Sequence, residues 1–225
     1  MTEDRKRRDR AFFVLVKRKE RLGLTFFGWL VLLVGIGVAF VFAVVEVHPF
    51  LALNRPVEGE ILVVEGWLPD YALEEAVGEF GEKGYSLLVA TGGPLGKGHY
   101  LIKYKNYAEL TAATLKELGL AEEMIRAVPA PGVKKDRTYA SAVALKEWLS
   151  ASGLNVKAFN VVSIGCHARR TWLLFKKAFD GANVEIGIIA EINRDYDPER
   201  WWGSSAGVRS VIGESIAYLY ARFLF

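Results

Sequence analysis

The chain has little of what staples or metallates a small protein. One cysteine, Cys166, in 225 residues excludes an internal disulfide framework and any multi-cysteine metal site. The three histidines stand apart. His48 and His99 read as connector and loop residues, with no cysteine or acid pattern around them that implies zinc. There is no repeat of 20 to 50 residues and no low-complexity tract. Excess charge is also scarce, at a formal +3, and it is local. Residues 1–24 hold nine Lys/Arg against four Asp/Glu, which leaves twenty against twenty-two beyond them. Without a basic stripe in the body of the chain, no nucleic-acid partner is expected. A composition that is 52% hydrophobic and 24% charged is too apolar for a disordered chain and allows one ordinary domain plus an appendage.

The appendage is an apolar run. Residues 24–45 contain no charge, and as a helix they would rise roughly 33 Å against a hydrocarbon thickness of about 30 Å. Gly28, Gly35 and Gly37 would weaken a soluble helix but are common in membrane helices, and Trp29 fits an interfacial anchor. The run is longer than the roughly 7 to 15 residues of a signal-peptide core, and no small-residue cleavage site follows it. The basic cluster from Arg5 to Arg21 is kept in the cytoplasm by the positive-inside rule. The expected organisation is a cytoplasmic basic tail over 1–23, a single transmembrane helix over 24–47, a connector over 48–56 and an extracytoplasmic domain over 57–225.

Along that domain short β-rich runs alternate with helical periodicity, the pattern of a Rossmann-like α/β fold with a mostly parallel five-stranded sheet and flanking helices. Strands are predicted at 61–65, 86–91, 125–128, 159–164 and 184–189. Helices are predicted over 70–83 with Asp70 as cap, 106–118, 138–150 and 168–179, with a terminal helix from residue 208. That last helix, apolar on most faces, either packs across the sheet or meets the outer membrane face near the anchor. Ligands of such sheets bind beyond the carboxyl ends of the strands, where loops meet helix N-termini. This rule selects Glu65, Gly66, Trp67 and Asp70 after the first strand, Thr91, Gly92 and Gly93 after the second, and Cys166, His167, Arg169 and Arg170 after the fourth.

The loop over 91–99, TGGPLGKGH, is not a Walker loop, since Thr91 stands where a glycine is needed and Gly98 where Ser/Thr is needed. It reads either as a tight turn with positive φ or as amide donors facing an anion. Cys166 beside His167 lacks the geometry of a nucleophile and base pair, and the thiol reads as a plain buried side chain. His167 and Arg170 are more informative, because cations at a helix start oppose its dipole. Arg170 offers a planar fork to a phosphate or carboxylate, and His167 a proton near neutral pH. The competing reading is a solvated helix start whose cations pair with acids such as Glu65.

A Gly turn after the first strand, ATGG over 90–93, DRT over 136–138 and C-H-A-R-R over 166–170, in this order, resemble the ElyC/SanA/YdcF family across about residues 60–214. The resemblance implies a small Rossmann-like domain, often behind membrane helices, associated with envelope and lipid-carrier maintenance in bacteria, with no established reaction. It places the family's Gly-Gly on Gly92 and Gly93, its helix-starting Thr on Thr138 and its His-x-x-Arg on His167 and Arg170. The chain departs from the family's first-loop glycine run, and at 135–141 it lacks the Glu and Asn of the helix that starts at Thr138, so Glu65, Asp136 or Glu109 would have to substitute.

The expectation is a membrane-anchored domain that binds an anionic, phosphate-bearing envelope metabolite such as a lipid carrier, with hydrolysis or transfer as an added activity. His167, Glu65 and Asp136 are the catalytic candidates, and Gly66, Thr91, Gly92, Gly93, Thr138 and Arg170 the ligand-binding ones. The alternative is a non-catalytic sensor or scaffold for envelope assembly. No cofactor or oligomeric state follows from the sequence. Metal-assisted turnover would require Glu65, Asp70 and Asp136 to meet around one ion. If the basic tail is cytoplasmic, protease added to intact spheroplasts digests the domain; protection until the membrane is lysed reverses the orientation.

Overall fold

The computed structural model describes residues 24–98, 100, 101 and 103–225; the basic tail and His99 lie outside them. The chain divides into two compact units, one ending at Phe42 and the other spanning Ala43–Phe225. Helix α1, Phe26–Leu51, is long and apolar enough to cross a membrane, and none of its most apolar window is buried. It runs on through Pro49 to Leu51, where a connector beginning at residue 48 was expected. Proline is tolerated here because only the final turn lacks its N–H bond. His48 and Leu51 are buried in the second unit, so this last turn is ordered by packing and His48 is a core residue.

The second unit holds β1 (Ile61–Glu65), α2 (Asp70–Lys83), β2 (Leu87–Gly92), α3 (Tyr107–Glu117), β3 (Ile125–Pro129), α4 (Arg137–Ser152), β4 (Ala158–Ile164), α5 (Ala168–Ala178), β5 (Glu185–Glu191) and α6 (Ser205–Phe223). The five strands form one sheet in the order β3-β2-β1-β4-β5, with every pairing parallel. This is the Rossmann-like α/β fold. The strand period of two divides the core. On one face Ile61, Val63, Val89, Phe159 and Val161 meet Leu145 of α4 and Phe175 of α5. On the other, Leu62, Val64, Leu88 and Val162 meet Leu73 and Ala76 of α2 and Leu115 of α3. Both faces are covered, and β1 is buried at all five positions, as a central parallel strand must be.

Element ends depart slightly from the expected positions. Pro69, not Asp70, occupies the cap position of α2, without a side-chain cap bond; Asp70 lies in the first turn, where its charge still favours the helix dipole. Asn106 caps α3, its side chain accepting from the Glu109 N–H at 2.8 Å.

Glycine is required after β1 and β2 for closeness, not for positive φ. A Cβ on Gly66 would lie 2.7 Å from the Thr91 carbonyl oxygen and 2.8 Å from the Tyr107 backbone, and one on Gly92 would lie 2.6 Å from Tyr107 Cβ. The first turn of α3 thus rests on the ends of β1 and β2, and the buried Thr111 hydroxyl donates to the Gly66 carbonyl at 2.9 Å. At Gly93 the nearest atom would be 3.7 Å away. We expect Gly66→Ala and Gly92→Ala each to destabilise the domain by about 1–3 kcal/mol through overpacking, while Gly93→Ala stays near wild type. Thermal unfolding of the three variants checks the contrast.

Candidate functional site

The strand order reverses direction at β1, which pairs with β2 on one side and β4 on the other. Beyond the carboxyl ends of β1 and β4 the connections lead to opposite faces of the sheet, α2 on one and α5 on the other, the topological position at which open α/β sheets bind ligands. Two sequence positions supply its chemistry: Glu65 ends β1, and β4 leads through a short 3₁₀ turn, Gly165–His167, into α5.

Glu65 is a buried carboxylate. Its Oε2 accepts from Ser163 Oγ at 2.6 Å and Thr171 Oγ1 at 3.0 Å, and its Oε1 lies 3.6 Å from His167 Nε2. The Trp67 ring packs edge-on to His167, with centroids 4.8 Å apart. The opposite nitrogen of His167, Nδ1, lies 2.9 Å from Glu214 Oε1. Arg170 grips the same carboxylate with two bonds, donating from Nε to Oε2 at 2.8 Å and from Nη2 to Oε1 at 3.1 Å. Arg170 Nη2 is also 3.0 Å from His167 Nδ1, because both nitrogens converge on one carboxylate oxygen.

The charges set one another's protonation. Burial by itself would hold Glu65 protonated, but the adjacent His167 charge and the bonds from His167, Ser163 and Trp67 lower its pKa overall. Burial likewise disfavours the His167 cation, yet Glu65 and Glu214 on its two sides push it up to about 9. Glu214, despite burial, falls to about 2 through its bonds from His167 and Arg170. At neutral pH the cluster is therefore two carboxylates and two cations, internally balanced. The acids also offset the unfavourable placement of two cations at a helix N-terminus. A protonated His167 can donate a proton but cannot accept one.

Other residues reach the site less directly. Asp136 sits in the left-handed region at φ 58° just before α4, and its charge acts on Arg170, raising the guanidinium pKa further. Thr138, in the first turn of α4, is half-buried and has no side-chain hydrogen bond among the described residues. The Gly66 amide is engaged by the Thr91 carbonyl at 2.6 Å, and the buried Thr91 hydroxyl turns back to the Val64 carbonyl at 3.3 Å. The Gly92 carbonyl takes the Ala130 N–H, and the Gly93 carbonyl the Tyr107 N–H. These four positions serve the protein's own packing and turns. The exposed Glu109 and the α2 residue Asp70 are not among the partners of His167 or Arg170. Among the described residues no group of three His, Cys, Asp or Glu side chains is placed to hold a metal ion.

Cys166 is buried and meets Tyr196, whose hydroxyl donates to Sγ at 3.5 Å and lies 3.2 Å from His48 Nε2. Burial pushes the thiol pKa up, which removes it as a nucleophile. Glu214, Ser163 and Thr171 were not anticipated from sequence. The available signal for Glu214 was its isolation, as the one acid in residues 205–225, set in an apolar helix.

No protein-family model matches the chain, and no curated protein matches it.

The network makes stability depend on pH at both ends. His167 has a folded value of about 9 against an ordinary 6.5, so its contribution is complete below about 6.5 and is lost as pH rises through about 9. Glu214, at about 2 against 4.5, contributes fully above about 4.5 and loses that contribution as pH falls toward about 2. Unfolding midpoints should therefore plateau between these limits and decline on both sides. Glu214→Gln should remove much of both slopes and bring the His167 titration, followed by imidazole NMR shifts, down from about 9.

Proposed function

We propose that the crevice between β1 and β4 binds the anionic, phosphate-bearing group of a cell-envelope metabolite such as a lipid carrier, on the outer side of the membrane that α1 spans. The observation carrying this reading is the unused edge of Arg170. Glu214 engages Nε and Nη2, whereas Nη1 makes no hydrogen bond among the described residues. Among the described residues every side-chain nitrogen or oxygen buried from solvent has a partner, so Nη1 reaches solvent. A guanidinium fixed on one edge and open on the other presents its donors with little further loss of side-chain freedom. The order of the ATGG, DRT and C-H-A-R-R segments, similar to that of the ElyC/SanA/YdcF family, supports the envelope setting. In turnover His167 is the general acid, protonating a leaving oxygen, with Glu65 holding its ring.

A second reading, a sensor or scaffold without turnover, is favoured by a separate observation. The four charges balance internally and the neighbouring thiol is buried, so no activated nucleophile accompanies the acid.

Binding of a phosphorylated polyprenyl to the purified full chain separates the readings. Arg170→Ala is expected to weaken binding at least about tenfold, since a charge-assisted hydrogen bond contributes roughly 1.5–3 kcal/mol. If the protein turns its ligand over, His167→Ala lowers the rate about 100-fold or more. Binding without a His167-dependent product leaves the sensor reading standing. Arg170→Ala binding as wild type, or no anion binding at all, removes both.

A further inference from the structure

Helix α6 is built inside out for a surface helix. Its single acid, Glu214, points inward to His167 and Arg170. Val208, Ile212, Ile216, Leu219 and Phe223, at spacings of three and four, form one outward ridge. All five are exposed, Ile216 at 65% and Phe223 at 73%. The charges beside the ridge are Arg209 and Arg222, both exposed, and no acid shares that face. An apolar stripe of this length rimmed only by cations is unlike a solvated helix face, which sets charged residues outward.

A neighbouring face of α6 packs on the last turn of α1, which belongs to the same compact unit. Phe50, in the last turn of α1, packs edge-on to Tyr218 of α6 with centroids 5.5 Å apart, and Val211 of α6 joins Leu51 in one buried cluster. Arg169 of α5 donates from Nε to the Phe50 carbonyl and lies over the Phe50 ring at 3.9 Å. Residues 50 and 51 are thus held against α5 and α6 by packing. Arg169, Lys176, Lys177 and Arg222 line a groove between α5 and α6 with a single acid, Asp180, so the border carries a net excess of cations.

We propose that the outward face of α6 lies in the interface of an anionic bilayer, with the ridge among the acyl chains and Arg209, Arg222 and Lys176 at the phosphates. The inference rests on α1 spanning that bilayer. An interfacial helix of this kind combines an apolar face with Lys/Arg beside it, and anionic headgroups answer a border in which cations outnumber acids. A second copy of the chain fits less well, because self-pairing would bring Arg209 and Arg222 against their own equivalents without an acid to meet them.

The test uses the full chain in nanodiscs, with either neutral or one-third anionic lipid, carrying a spin label at Ile216→Cys, Phe223→Cys, Val38→Cys or Glu147→Cys in a Cys166→Ala background. Collisional accessibility to oxygen and to a water-soluble nickel complex gives each label's depth. Labels at 216 and 223 should sit about 5–10 Å below the headgroup level in anionic discs, while 147 on α4 reads as aqueous. Replacing Arg209 and Lys176 by Glu should move both labels to the aqueous value in anionic discs. Aqueous values at 216 and 223 with a lipid value at 38 overturn the proposal and leave the anchor intact; an aqueous value at 38 overturns the anchor itself. A short label-to-label distance at 216 in discs holding two chains, with no lipid exposure, assigns the face to a second copy and overturns the proposal as well.

Discussion

A charge that cannot be left alone organises this domain. Glu65 lies at the end of the central strand, covered on all sides, and an unpaired carboxylate there would cost several kcal/mol. Apart from Trp67 beside it in the chain, its partners come from the β4–α5 segment: Ser163 at the end of β4, Thr171 in the first turns of α5, and His167 between them. The carboxylate thus fixes the register in which α5 leaves β4. Removing any one partner strands charge in the interior, so the four residues stand or fall together.

His167 transmits that constraint outward. A cation beside Glu65 at the start of a helix needs a second acid, and Glu214 provides it from α6, a segment nearly fifty residues further along. Because Glu214 also takes both near nitrogens of Arg170, one carboxylate locks α6 against the N-terminal turn of α5. The same contact explains the inverted character of α6. Its one acid is turned inward, Gly207 passes close against the Trp201 backbone, and what remains outward is an apolar ridge flanked by Arg209 and Arg222. A neighbouring cluster holds residues 44–51 within the same unit: the Trp201 indole N–H donates to the Val44 carbonyl at 3.0 Å and Tyr196 meets His48.

Much of the fold could be read from local chemistry. The apolar runs at 61–65 and 159–164 are β-branched and bounded by turns, and Gly84 and Gly153 end their helices in the left-handed region, so period and punctuation agree with the tertiary structure. Strand order was not local information, yet the alternation of strands and helices leaves few alternatives once right-handed crossovers are required. The site was half legible. His167, Arg170 and Glu65 stand out because each is a charge placed where a strand ends or a helix begins. Glu214 does not, since no spacing rule joins residue 214 to residue 167, and an acid within an apolar helix has many ordinary explanations. The glycines after β1 and β2 were legible as required but not in their reason. A sequence shows that a side chain is absent, whereas the Tyr107 backbone that would collide with it comes from another turn of the chain.

The balance of charge in the cluster narrows what an incoming ligand can gain. A cation facing water alone attracts any anion, and salt screens that attraction readily. Arg170 instead has its charge opposed by Glu214 and by the more distant Asp136, so little long-range attraction remains. What persists is short-range and directional: the outward Nη1 donors, held in place by two bonds on the other edge. On the proposed reading, such a site would discriminate by hydrogen-bond geometry more than by charge, which suits a phosphate carried on a larger molecule over a free ion in solution. If α6 keeps the domain against the bilayer, a lipid-borne ligand reaches the domain by diffusion in two dimensions. Steering by charge is then unnecessary, and a neutral, rigid cluster is the arrangement that leaves selectivity to the donors.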